Sequence, residues 1–153
     1  MDAGPATDVV VRPGAPADAD VLRLVADQER EMAARWESDD PGPSVVSGAR
    51  FLVAEHAGRP VGCVALQALG SATGEVKRMY VAPHARRRGV GRVLLSAAEE
   101  LAASLGYAAL RLETGTRQPE AVALYESAGW SRIPPYGYWR DSPESICFEK
   151  RLT

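Results

Sequence analysis

Two apolar runs frame a glycine-bearing turn and an amphipathic stretch in the middle of the chain, and that succession restricts the fold more than any other feature. The run "EVKRMYVAP" reads as a strand that Pro83 stops. Next comes "ARRRGVGRVLLSAAEEL", in which Val90, Leu94, Ala97, Leu101 and Leu105 recur at helical spacing and Gly106 is placed to end the helix. "AALRLET" then reads as a second strand. A strand, a crossover helix and a strand imply a parallel pair within one sheet.

The flanking segments are different. "DVVVRP" reads as a first strand stopped by Pro13, and residues 17–36 as a helix with Leu22, Val25, Met32 and Trp36 on one face. Glu29 falls on that same apolar face, which is unusual for an acid. "ESDDPGPS" is a loop, with a short helix expected after it. Two strands then join at "HAGRP" with Gly58 at the turn, and "GSATG" turns into the central strand, giving three consecutive antiparallel strands. Beyond the parallel pair, "QPEAVALYESAG" is a helix opened by Pro119 and closed by Gly129. "WSRI" and "ICFEKRL" are short strands around the loop "PPYGYWRDSPES". The expected class is α/β with a mixed, α+β-type sheet: mostly antiparallel, one parallel pair, helices flanking. Its 153 residues suit a single domain over 1–153, with residues 1–7 as a disordered lead.

Charge and cysteine usage exclude several functions. The net charge of -2 speaks against a nucleic-acid role for the arginine run, and no aromatic platform interleaves it. No apolar stretch approaches the roughly 20 residues that a membrane span needs. Cys63 and Cys147 read as buried strand residues. With His56 and His84 they form no metal-ligand spacing, so no metal is expected. "MDAGPATD" shows no signal-peptide pattern, and a cytoplasmic location is expected.

At the start of a helix the first amides lack internal partners, and the positive end of the dipole points outward. Glycines there let a ligand approach the backbone, which suits a phosphate. A dinucleotide fingerprint needs a third glycine where Leu94 stands, and no G-K-[S/T] triplet exists for a nucleotide P-loop. What remains is R-x-x-G-x-G, filled by Arg86, Arg87, Arg88, Gly89, Val90 and Gly91.

This spacing resembles the pyrophosphate loop of the GNAT family of N-acetyltransferases. "EVKRMYVAP" looks like that family's fourth strand, "RRRGVGRVLL" like its main motif, and "QPEAVALYESAGW" like its later helix and turn. The resemblance implies acetyl-CoA as co-substrate, lying in a gap between the strands at 75–81 and 108–113. It implies that the edge formed by Met79, Tyr80 and Val81 lies along the pantetheine arm, with the Met79 and Val81 backbone pairing to it. Amides from Arg87 to Arg92 would hold the pyrophosphate, with the arginines as supporting charge. Tyr125 matches the family's tyrosine acid, which protonates the departing thiolate. Gln118 stands where the family often has asparagine, near the pantetheine arm. Homodimers are common among relatives.

The acceptor amine arrives protonated. Glu75 is a candidate base, directly or through water, because simple alternation puts it on one face with Lys77, Met79 and Val81. In this family the first helix and the following loop usually form the acceptor wall. Here Glu29 and Trp36, with Glu31, Glu37, Asp39 and Asp40 nearby, suit a small cationic acceptor. The loop "IPPYGYW" offers a second wall through Tyr136 and Tyr138. The expected function is acetyl transfer from acetyl-CoA to a primary amine by direct attack in a ternary complex. No acyl-cysteine is expected, because neither cysteine has an activating setting. The alternatives are an acyl-CoA sensor without turnover, and an acetyltransferase acting on peptide lysines or N-termini.

Overall fold

The computed structural model describes residues 8–152. The expected lead at 1–7 lies outside these. The described chain forms seven strands and three α-helices: β1 (Val9–Gly14), α1 (Ala19–Trp36), β2 (Arg50–His56), β3 (Arg59–Ala68), β4 (Thr73–Val81), α2 (Val90–Ser104), β5 (Ala109–Gly115), α3 (Pro119–Ser127), β6 (Ser131–Ile133) and β7 (Ser145–Arg151). A 3-10 turn at Pro83–Ala85 precedes α2. The strands form one sheet in the order β1-β2-β3-β4-β5-β7-β6. Only β4 and β5 run parallel, as the crossover through α2 requires.

Local chemistry accounts for most boundaries. Asp18 caps α1, its side chain accepting from the Asp20 amide. Ala57 and Gly58 both take positive φ, 53° and 77°, which a tight two-residue hairpin demands. Pro13 does not stop the first strand. It pairs with Leu52, and β1 continues to Gly14. As β1 is an edge strand, the missing proline N–H disrupts no ladder. No helix forms between α1 and β2; there the backbone makes only a turn at 46–49, closed by Ala49 N–H on the Val46 carbonyl.

Two apolar layers sandwich the sheet. On one side Leu94, Leu95, Ala98 and Ala102 of α2 and Tyr125 of α3 pack on Val64, Leu66, Val76, Leu110, Leu112 and Phe148. On the other, Val21 and Leu24 of α1 pack on Phe51, Val53, Cys63, Ala65 and Tyr80. Leu22, expected on the buried face of α1, is 56% exposed; Leu105, expected in the α2 stripe, is 42% exposed. α1 is rotated by about one residue from the sequence reading, whereas α2 buries Val90 and Leu94 as expected and departs only at its C-terminal end. In α1, only the N-terminal half is buried this way. Its C-terminal half, with Glu29, Met32 and Trp36, faces a cavity.

Strand β4 departs from simple alternation. Its pairing with β3 shifts register between Cys63 and Ala65, and Arg78 takes a φ of 56° there. The bulge puts one extra residue into β4. Glu75 and Lys77 oppose Gln67 and Ala65 and share the α1 side, whereas Met79 and Val81 pack into the α2 layer. The expectation of one common face for Glu75, Lys77, Met79 and Val81 is therefore corrected.

Candidate active site

The parallel ladder between β4 and β5 is short. It ends at Glu75 opposite Arg111, and the strands continue unpaired beyond that point. A gap opens between them, bounded on the β4 side by residues 76–81. The Met79 carbonyl accepts from Gln28 Nε2 at 2.9 Å, and the Val81 carbonyl from Arg86 Nε at 2.8 Å. A carbonyl has two lone pairs, so each retains room for a second donor.

Past the end of β4, α2 starts at Val90 with Gly89 at its cap in the left-handed region, φ 83°. The first bond returning to the cap is donated by Val93 to the Gly89 carbonyl at 3.1 Å. The earlier amides of Val90, Gly91 and Arg92 have no partner within the helix. A side chain on Gly91 would press on Leu124 of α3, with a Cβ only 3.2 Å from its Cδ2. The arginines divide their work. Arg86 is a clamp, gripping the Val81 carbonyl and Glu31 Oε1 at 2.6 Å. Arg87 takes a φ of 64°, which makes the turn, and its side chain is exposed, as is that of Arg88. Arg92 is also exposed and donates to Ser127.

Tyr125 is 5% exposed, wedged between Trp130 and Phe148 at 6.0 and 5.8 Å between ring centres. Its hydroxyl has no hydrogen-bond partner among the described residues, and burial pushes its pKa up. Burial likewise pushes the Cys63 thiol up to about 12 and raises that of Cys147, so neither offers a thiolate.

On the opposite side of the gap lies a cavity of about 600 Å³. Its walls come from α1, the loops at 37–49 and 134–144, and the portions of β4 and β5 beyond their last pair. Glu29, Asp39, Asp40, Glu113 and Glu144 supply carboxylates; Arg30 and Arg78 supply cations; Met32, Trp36 and Trp139 supply apolar surface. Gln118, at the cap of α3, lines this cavity too. The Trp36 ring lies against Gly115, where a Cβ would come within 2.4 Å of it. Arg117 stacks over the same ring at 5.1 Å. Gly42 has φ 73° and lies under Trp139, which brings the two loops together.

The two expected acids have different surroundings. Glu75 is 7% exposed, not an open strand end. Its Oε1 accepts from Gln67 at 2.9 Å and its Oε2 from the Tyr136 hydroxyl at 2.7 Å, while Gln67 in turn accepts from Val46 N–H. This chain ties both loops to the sheet. Burial, with the bond to Glu75 second, raises the Tyr136 pKa. Glu29 pairs with Arg78 at 3.3 Å. Tyr138 is 55% exposed and donates to Asp40, beside the cavity and not in its lining.

A family model described as the acetyltransferase (GNAT) family matches residues 19–130. The chain belongs to the GNAT acetyltransferase family. An IAA acetyltransferase of Azospirillum brasilense is 44% identical over 105 residues, 67% of this chain and 68% of that protein. An uncharacterised N-acetyltransferase of Bacillus subtilis, YsnE, is 36% identical, with 60% of this chain and 62% of that protein covered. The matched stretch thus spans roughly two thirds of these relatives. Among solved structures, a Klebsiella pneumoniae protein assigned to the acyl-CoA N-acyltransferases superposes with a TM-score of 0.81 at 31% identity, covering 95% of this chain and 98% of that one. A GNAT acetyltransferase of Elizabethkingia anophelis, solved with acetyl-CoA bound, shares the fold with a TM-score of 0.73 at 18% identity, over 95% of this chain and 99% of that one.

As a GNAT protein, this chain has two residues at its centre that the sequence reading passed over. Arg78 stands outside the alternating set of Glu75, Lys77, Met79 and Val81, and the bulge turns it to the cavity. Glu113 looked like the end of a strand. It is half-buried, accepts from Trp139 N–H at 3.3 Å and Ser145 Oγ at 3.4 Å, and has a raised pKa, chiefly from burial. A carboxylate at the C-terminal end of the second parallel strand was the signal available.

Proposed function

We propose that the protein transfers an acetyl group from acetyl-CoA to a primary amine of a small acceptor, by direct attack with both substrates bound. The observation that carries this reading is the gap itself. Its α2 side ends in bare helix amides, and its other side opens into a cavity bordered by Arg78, Glu113 and Thr114 of the same two strands. A pyrophosphate suits the amides at Val90, Gly91 and Arg92, and a thioester arm suits the free edge of β4.

The chain's own groups supply the rest. The amine nitrogen bonds to the acetyl carbon while the carbon–sulfur bond breaks. Tyr125, kept protonated by burial, suits proton donation to the leaving sulfur. The ammonium must first lose a proton. Glu113, its basicity increased by burial, is suited to take it directly, and Glu75 through water. Five carboxylates against two guanidiniums around the cavity favour a cationic amine group.

Thiol release from acetyl-CoA, measured over a panel of polyamines, aminoglycosides, amino acids and peptides, tests this reading. The expected result is release matched mole for mole by N-acetylated product in mass spectrometry. Tight acetyl-CoA binding with no turnover across the panel favours a sensor instead.

A further inference from the structure

Arg78 has a role that neither the glycine turn nor the tyrosine acid accounts for. Its side chain is 13% exposed at the wall of the cavity. Its ion pair is with Glu29 at 3.3 Å, and the guanidinium donates no hydrogen bond among the described residues. A guanidinium carries five N–H donors in a rigid fork, and Glu29 alone among the described residues pairs with it, so donors remain free at the cavity wall. The chain also spends a left-handed backbone conformation, φ 56°, to place it there. A carboxylate matches such a fork with two parallel bonds.

On the acetyl-transfer reading above, we propose that Arg78 binds a carboxylate of the acceptor, making the acceptor an α-amino acid with a bulky apolar side chain. The amine then faces Glu113 on β5, the carboxylate faces Arg78 on β4, and Met32, Trp36 and Trp139 enclose the side chain. Glu29 holds Arg78 through their ion pair and competes with the incoming carboxylate. Arg78 gives this otherwise acidic cavity a cationic point for the carboxylate, with Glu113 for the ammonium.

The test compares matched acceptors: L-phenylalanine and L-tryptophan against phenethylamine and tryptamine, which lack only the carboxylate. The wild type is expected to favour the amino acids by about tenfold or more in kcat/KM, as a site built around charged hydrogen bonds does. Arg78→Gln is expected to bring that ratio close to one through KM, leaving the KM for acetyl-CoA unchanged. Glu29→Gln, which removes the competitor, is expected to lower the amino acid KM and keep the preference. A preference for the decarboxylated amines, or an equal loss for both members of each pair in Arg78→Gln, overturns the proposal. Should Arg78→Gln fail to fold, Glu29→Gln decides, and an unchanged or higher amino acid KM overturns it. If none of the four is acetylated, calorimetry in the presence of CoA separates the two readings. Amino acid binding that Arg78→Gln abolishes keeps the carboxylate site and removes acetyl transfer; no binding removes the site.

Discussion

Tyr125 combines two properties that are rarely compatible, a core ring and an unpaired hydroxyl. Its ring packs with Trp130 and Phe148, so the side chain cannot swing away. Tyr125→Phe keeps that packing and removes only the hydroxyl proposed as proton donor. We expect kcat to fall by about 10²- to 10⁴-fold, the range of general acid catalysis, with the melting temperature nearly unchanged. Stopped-flow thiol release and thermal denaturation check the two halves. Burial raises the folded pKa above the unfolded value of about 10, so the hydroxyl stays protonated through neutral pH. The stability tied to that proton is lost only as pH rises beyond that unfolded value. The place of Tyr125 on α3 was legible in "LYESAGW" because its helix and turn are local. The setting of Glu75 was not, because its partner Tyr136 lies 61 residues away.

At the scale of elements, the turn into α2 matters through its backbone more than its charges. Gly89 needs φ 83°, and Gly91 has Leu124 at its side, whereas Arg87 and Arg88 project into solvent. Gly89→Val or Gly91→Val is therefore expected to weaken acetyl-CoA binding by tenfold or more, and Arg87→Ala by about twofold to fivefold, the weight of an exposed charge. Titration calorimetry with CoA reads both, and a larger effect from the arginine contradicts the backbone cradle. Paired glycines, a proline stop and a helical stripe are local signals, so this element could be read from sequence. The buried face of α1 could not. Leu22 and Leu24 are equally apolar, and only the strands beneath α1 decide that Leu24 goes inward.

At the scale of the whole molecule, the sheet separates the two proposed tasks, with the bare helix amides on the α2 side and the cavity under α1. The cavity exists because two distant loops meet. Trp139 spans that contact, edge-on to Tyr138 at 4.6 Å and above Gly42. Trp139→Ala is expected to raise the acceptor KM by about tenfold or more, since a large aromatic wall is removed, and to leave acetyl-CoA affinity unchanged. Steady-state kinetics with each substrate varied in turn distinguishes these. The strand order beyond β5 was hidden from the sequence, because β7 enters between β5 and β6 and only long-range pairing determines that. The bulge in β4 was hidden for the same reason: it is visible only against β3. That surplus residue sets the parity of the strand. Deleting one codon there would swing Tyr80 towards the α2 layer and Met79 and Val81 towards the α1 layer, exchanging what the strand presents on both faces at once. An insertion in the turn at 69–72 would leave both intact. In β4, residue count is thus under tighter constraint than residue type, and length variation along this chain should avoid that one position.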